Sequence, residues 1–161
     1  MTGTFMASSP NTGVDKSGVP MVKSRKKEWL FMDTSAFIAL NDRSDANHEA
    51  ATGFFTPKNL VSLRVIPVTT NFVFAEVYAY FCRFHRVAVM IGESIRTSEV
   101  LKYLRVEEAD ENAAWELAKK YIDKDFSFTD CLSFAVMTRL GCRKAFAFDQ
   151  HFRQMGFEVF P

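Results

Sequence analysis

An α/β fold built on a parallel sheet with helices on both faces is what this sequence predicts, and three observations carry it. From Trp29 onward, short apolar runs alternate with stretches of helical spacing. The first run, Trp29-Leu30-Phe31-Met32, is apolar on both faces of a strand, as a strand buried inside a parallel sheet must be. The chain has 161 residues, 48% of them hydrophobic, which suits a single domain with a sizeable core. Alternating strands and helices then imply a parallel sheet, and ligands of such sheets bind beyond the carboxyl ends of the strands.

The elements follow in order. Residues 29–32 form the first strand, and Thr34 to Leu40 begins a helix. Asp45-Ala46-Asn47-His48-Glu49 caps a second helix, which Pro57 ends or bends. Val65 to Thr69 is the next strand. Asn71 to Arg83 is a strongly apolar helix, Arg86 to Thr97 another, and Leu101 to Val106 a short strand. Glu107 to Ile122 reads most clearly as a helix. Glu107, Glu108, Asp110 and Glu111 crowd its start and Lys119 and Lys120 its end, matching the helix dipole. Its buried stripe is Ala114, Leu117, Ala118, Tyr121 and Ile122. Ser127 to Leu140 is a helix ended by Gly141. Lys144 to Phe148 is a strand, Gln150 to Met155 a helical turn, and Phe157 to Phe160 the last strand.

Before this domain lies a segment of different composition. Residues 1–20 include twelve Gly, Pro, Ser, Thr or Asn, so residues 1–28 are expected to form a disordered basic extension ahead of a domain at 29–161. Met21, just before Lys23-Ser24-Arg25-Lys26-Lys27, offers an alternative translation start. Residues 1–28 hold five Lys or Arg and two acids, a net +3, which leaves the remainder at −2. The body is therefore no basic slab for nucleic acid, and any such contact needs a local patch or a metal. Cys82, Cys131 and Cys142 show no CxxC spacing and the histidines no HxxxH pair, so reduced thiols and no Cys/His zinc site are expected. No apolar run nears the roughly 20 residues of a membrane span, and no secretory signal core opens the chain, so a cytoplasmic protein is expected.

Four carboxylates stand out because of their neighbours. Asp33 ends the run 29–32. Glu76 is the one charge in Phe72-Val73-Phe74-Ala75-Glu76-Val77-Tyr78-Ala79-Tyr80-Phe81. Asp130 lies inside Phe126-Ser127-Phe128-Thr129-Asp130-Cys131-Leu132-Ser133-Phe134. Asp149 closes Ala145-Phe146-Ala147-Phe148. Singly, three have a structural reading: Asp33 and Asp149 as helix N-caps, and Asp130 in a capping box with Ser127. Glu76 is mid-helix, so its structural reading is escape to solvent or a pair with Arg83 or Arg43. Together, four such placements suggest a shared cation, because a lone buried carboxylate is costly. Mg²⁺ or Mn²⁺ prefers such oxygen ligands. Metal held by acids, with water retained on it, suits hydrolysis of a phosphodiester. His151 and Arg153, beside Asp149, are candidate phosphate contacts; an ordinary surface turn is the plainer reading. There is no Walker-type phosphate loop.

The segments Phe31-Met32-Asp33-Thr34-Ser35-Ala36, Thr70-Asn71-Phe72-Val73-Phe74-Ala75-Glu76, 126–134 and Phe146-Ala147-Phe148-Asp149-Gln150-His151-Phe152 resemble, in order, the motifs of the PIN-domain family, and within it the VapC-type toxins of toxin–antitoxin modules. The likeness spans about residues 29–160. It implies a three-layer PIN-like fold with a parallel five-stranded sheet, divalent-metal-dependent cleavage of single-stranded or structured RNA, frequent homodimers and a small antitoxin protein as partner. It carries the family's acids onto Asp33, Glu76, Asp130 and Asp149, as metal ligands and catalytic groups. It carries the supporting hydroxyl onto Thr34, to hold Asp33 or a metal-bound water. The N-terminal extension departs from the family's pattern.

Three other functions fit less well. A catalytically silent RNA- or protein-binding module on the same fold does not account for all four acids. A cellular RNA-processing nuclease fits the motifs, but the compact single domain favours the toxin. A phosphotransfer receiver needs an acidic pair near the first strand and a lysine where Asp149 stands. The aromatic-rich helix at 71–83 is the surface expected to serve docking or dimerisation.

Overall fold

The computed structural model describes residues 27–161. The extension expected over residues 1–28 and the alternative start at Met21 lie outside the described residues, except that Lys27 is described and Glu28 already belongs to the first strand. The elements run β1 (Glu28–Met32), α1 (Thr34–Asn41), α2 (His48–Phe54), α3 (Pro57–Leu63), β2 (Val65–Thr70), α4 (Asn71–Phe81) and α5 (His85–Arg96). They continue through β3 (Lys102–Leu104), α6 (Glu108–Lys120), α7 (Phe128–Leu140), β4 (Lys144–Phe146), α8 (Gln150–Gln154) and β5 (Glu158–Phe160).

The strands form one five-stranded sheet in the order β3-β2-β1-β4-β5, and every neighbouring pair is parallel. The chain walks outward from β1 to β2 and β3, then returns to place β4 on the other side of β1. With right-handed crossovers, this reversal distributes helices over both faces. It also creates a switch point between β1 and β4, where the connections leave in opposite directions. Central position explains why β1 is apolar on both faces: Leu30, Phe31 and Met32 are almost wholly buried.

Pro67 sits within β2, where a missing amide N–H would weaken a ladder. It pairs with Leu30 of β1, but β3 joins β2 only from Val68 onward, so the ladder on that side starts past it. Phenylalanine fills much of the space between sheet and helices. Phe146 packs against both Phe54 and Phe55, and Phe134 against Phe126, Phe152 and Phe157.

The structure corrects several boundaries. Pro57 does not end or bend α2, which closes at Phe54; it starts a separate helix, α3, with Thr56 as its cap. Proline at the first helical position loses no hydrogen bond, since that N–H has no partner in the helix. Strand β4 stops at Phe146, so Asp149 does not follow it directly; Ala147 and Phe148 intervene. Helix α6 stops at Lys120, which leaves Ile122 outside the buried stripe and 87% exposed. Gly141 ends α7 as expected, with φ +62°, and Cys142 N–H closes back onto Met137 O at 2.8 Å. All three cysteines are free thiols. Helix α4 buries Val73, Val77 and Phe81, and its most exposed aromatic, Tyr80, donates to Asp42. The larger exposed apolar set lies just beyond it, at Phe84, Val87, Val89 and Met90.

Candidate active site

The three cap readings hold in the structure, and they assemble the site. Asp33 is the N-cap of α1. Its Oδ2 accepts from the Ser35 amide at 3.0 Å and the Ser35 hydroxyl at 2.5 Å. Asp149 is the N-cap of α8, accepting from the His151 amide at 2.9 Å. Asp130 closes a capping box at the start of α7: Ser127 N–H donates to its Oδ2 at 2.8 Å, and its own amide donates to Ser127 Oγ at 3.0 Å. Capping fixes each carboxylate at a helix N-terminus, where the dipole favours negative charge. Capping and clustering are therefore one arrangement here.

Contacts link Asp33, Asp130 and Asp149 into a circuit, to which Glu76 is attached only through Thr34; of the four acids, the structure brings Asp130 and Asp149 together with His151 at ligand spacing, and not Asp33 or Glu76. Thr34 Oγ1 donates to Glu76 Oε2 at 2.6 Å, joining α1 to the middle of α4. Phe148 N–H donates to Ser35 Oγ at 3.0 Å, joining the residue before Asp149 to the hydroxyl that holds Asp33. His151 Nδ1 lies 3.2 Å from Oδ2 of both Asp130 and Asp149. Asp130 in turn acts electrostatically on Asp33. Asp33 and Asp149 end the connections that leave β1 and β4, so the circuit stands over the switch point, where open parallel sheets bind their ligands.

The Thr34 hydroxyl goes to Glu76 and not to Asp33, contrary to one of its two expected roles; only the Thr34 backbone amide acts on Asp33. Ser35 supplies that hydroxyl, while Thr34 holds Glu76. Glu76 accordingly neither escapes to solvent nor pairs with Arg83 or Arg43 in the structure; it is half-buried on Thr34. His151 faces the two aspartates rather than offering a bare surface to phosphate, and Arg153 is exposed. Sequence reasoning overlooked this contact of His151, because a histidine two residues after a capping aspartate shows no ligand spacing. What places it is the approach of α7 to α8 in space.

Asp33 is buried, with 6% of its surface exposed. Burial pushes its carboxyl up to about 6, helped by nearby Asp130 and opposed by the Ser35 hydrogen bonds. A buried carboxyl with other carboxylates beside it is a poor place for an isolated charge and a good one for a cation. Asp130, Asp149 and His151 each offer a ligand atom, all within 4.8 Å of one another, the spacing of donors around one ion. The donors are mainly carboxylate oxygens, which fit Mg²⁺ or Mn²⁺ and not a thiolate-seeking metal. The residues present therefore fit a divalent ion. The large cleft of about 1020 Å³ between α1, α3 and α5 contains none of the four acids, and its lining of Phe37, Leu40, Phe55, Leu60 and Ile95 is apolar.

A parallel five-stranded sheet with acids gathered at its switch point defines the class. The model of the PIN domain matches residues 30–158, and the chain belongs to the PIN domain family. Its relatives include the 23S rRNA-specific endonuclease VapC20 of Mycobacterium tuberculosis, in the strains CDC 1551 / Oshkosh and H37Rv. Identity to it is 36% over 135 residues, covering 82% of this chain and 98% of VapC20. The crystal structure of M. tuberculosis VapC20, described as a Sarcin-Ricin loop cleaving toxin, superposes with a TM-score of 0.73 at 34% identity, over 82% of this chain and 99% of that one. A toxin–antitoxin complex from Klebsiella pneumoniae shares the fold, with a TM-score of 0.53 at 11% identity, over 75% of this chain and 87% of that one. The likeness to VapC-type toxins read from the motifs is thus matched across nearly the whole folded chain.

Proposed function

We propose that this chain is an endoribonuclease toxin of a type II toxin–antitoxin system, hydrolysing RNA phosphodiester bonds at the carboxylate circuit over the switch point. The supporting observation is the donor group of Asp130, Asp149 and His151 beside the buried Asp33, in a chain 36% identical to an endonuclease of 23S rRNA across 82% of its length. Ribosomal RNA is accordingly the substrate class, presented as an unpaired or looped segment.

Asp33, Glu76, Asp130 and Asp149 would hold one or more Mg²⁺ or Mn²⁺ ions. A divalent ion bound there supplies charge neutralisation at the scissile phosphate and a bound water of lowered pKa. The chain's own residues set this up. Ser35 orients Asp33, Thr34 orients Glu76, and His151 holds Asp130 and Asp149 towards each other. The domain responsible begins with Glu28, the first residue of β1, and not at 29, with residues 1–27 preceding it. The work is done in the cytoplasm, where ribosomal RNA is found. Among the described residues, no helix is long and apolar enough to cross a membrane. A small antitoxin protein that occludes the acidic site restrains the enzyme, and a homodimer formed through the apolar surface at Phe84, Val87 and Met90 completes the assembly.

The test is incubation of the purified chain with ribosomal RNA, with Mg²⁺ and with EDTA, beside the Asp33→Asn variant. Cleavage that needs both the metal and Asp33 is the expected result. Equal cleavage by both proteins, or none by wild type, overturns the reading. Expression in growing cells supplies the second arm: wild type arrests growth and Asp33→Asn does not.

A further inference from the structure

Two of the most exposed aromatic residues form a pair at the start of α7, where Phe128 stands two residues before Asp130. Trp115 on α6 is 58% exposed, and Phe128, the first residue of α7, is 42% exposed. Their rings meet edge to face, with centroids 6.3 Å apart and planes at 72°. Burying both in the core was open to the fold, since α6 and α7 pack closely and share the cluster of Ala114, Cys131, Leu132 and Ala135. Instead the pair points outward, and exposing large aromatics forfeits burial that the core would reward.

Their placement is what gives them a ligand. Phe128 lies between Ser127 and Asp130, in the turn whose capping box fixes the Asp130 carboxylate. Phe126, one residue before that turn, packs its ring on His151 at 5.1 Å. The Trp115–Phe128 pair and the Phe126–His151 pair thus flank Ser127, the cap of the turn that holds Asp130. The two helices that carry the pair are tied together at their far end, where Arg139 of α7 clasps Asp110 of α6 through two hydrogen bonds, of 2.7 and 2.9 Å, and Asp110 is 2% exposed. Two aromatic rings held at fixed positions beside a hydrolytic site lose little entropy on binding.

Charge points the same way. Residues 29–161 carry a net −2, and the site itself is acidic, so the body attracts RNA phosphate only weakly. The body therefore leaves room for a contribution to affinity besides phosphate pairing by the basic stretch or a bound ion. Stacking of an unpaired base on an aromatic ring is such a source, and it does not depend on net charge.

We infer that Trp115 and Phe128 form a base-stacking platform, which takes an unpaired nucleobase of the substrate RNA adjacent to the phosphodiester that is cut. The inference rests on the endoribonuclease reading and adds the determinant by which the enzyme selects looped over paired RNA. A base in a duplex is already stacked and cannot reach the platform, whereas a loop base splays onto it.

The probe is a hairpin RNA with an unpaired loop, with a fully paired duplex of the same stem as control. Binding is measured in Mg²⁺ in the cleavage-silenced Asp33→Asn background, and cleavage in the otherwise wild-type chain. Trp115→Ala and Phe128→Ala weaken hairpin binding about five- to hundredfold, the range for losing one stacked base. Trp115→Phe keeps most of the affinity, and duplex binding does not change. In cleavage, KM rises and kcat stays within about threefold. In a Trp29→Phe background Trp115 is the only tryptophan, and its fluorescence is quenched by the hairpin and not by the duplex. Folding of each variant is checked by its thermal melt. Folded alanine variants that bind the hairpin as wild type does overturn the platform. So does an alanine variant whose only change is dissociation of a dimer in light scattering, since the rings would then belong to a protein interface. If wild type cleaves while Asp33→Asn does not, and Trp115→Ala is unaffected, the platform falls and the nuclease reading stands. If wild type neither binds nor cleaves RNA, both fall.

Discussion

The Thr34 hydroxyl donates a 2.6 Å hydrogen bond to the Glu76 carboxylate, 42 positions further along the chain. This bond joins the turn after β1 to the middle of α4 and holds the one acid that no helix cap positions. A hydrogen bond to a charged group is worth roughly 1.5–3 kcal/mol. Thr34→Val keeps the shape and removes the donor, so cleavage is expected to fall about ten- to hundredfold with a weaker response to Mg²⁺. Thr34→Ser restores most of it. Unchanged kinetics in Thr34→Val would show the contact to be idle.

Asn or Gln at any of the four acids keeps shape and removes charge. Asp33→Asn, Glu76→Gln, Asp130→Asn and Asp149→Asn are each expected to lower cleavage at least about a hundredfold, the scale of losing a key electrostatic group. Single-turnover cleavage of ribosomal RNA measures it, and a wild-type rate in any of the four removes that residue from the site.

Asp33 predicts a pH dependence of stability. Its native carboxyl titrates at about 6, mainly because of burial, against 3.8 as the ordinary value. Below about pH 4 the group is protonated whether the chain is folded or unfolded, and its contribution is fully present. As pH rises through 6 the native carboxyl must ionise, and that contribution, about 3 kcal/mol, is lost. Asp33→Asn removes this term. In EDTA the variant should therefore be more stable than wild type at pH 7, with the gap closing towards pH 4. Mg²⁺ reverses the order, because it favours the ionised form and stabilises only the folded chain. Denaturant melts at several pH values, with EDTA and with Mg²⁺, check both signs; a gap that ignores pH and metal contradicts the account.

His151 bridges Asp130 and Asp149 at 3.2 Å to each. Partners that orient metal-binding groups typically contribute ten- to hundredfold in affinity or activity. His151→Ala should lower cleavage by about that factor and raise the Mg²⁺ concentration needed for half-maximal stabilisation. Its melting temperature in EDTA should change little, since the residue is only half-buried. Identical Mg²⁺ titrations of the two proteins would reduce His151 to a surface turn.

Every motif lies after residue 28. A variant starting at Met21 is expected to fold and to cleave at moderate salt as the full chain does, with at most a salt-sensitive loss of RNA affinity from the basic stretch. Misfolding of that variant, or loss of cleavage at low salt, would place residues 1–20 inside the working enzyme.

The sequence by itself marked every element but α3, and singled out the four acids. A run apolar on both faces, 29–32, admits only a central strand, and Ser127 with Asp130, or Gly141 after Leu140, are local chemistry that marks helix ends wherever the rest of the chain goes. The acids were legible because Asp33, Glu76, Asp130 and Asp149 interrupt apolar runs that would otherwise be pure core. Boundaries were less legible. Pro57 is compatible with ending one helix or starting another, and the choice rested on Thr56 being free to cap. Tertiary structure alone decided the rest. Strand order β3-β2-β1-β4-β5 follows from which strands pair, a long-range outcome that no local spacing encodes, and it is this order that puts the β1 and β4 connections side by side. The partner of Thr34, the hydroxyl on Asp33 and the seat of His151 are all contacts across elements. Thr34 of α1 meets Glu76 of α4, and Asp130 of α7 meets His151 of α8, only because the fold brings those helices within the roughly 3 Å reach of a hydrogen bond.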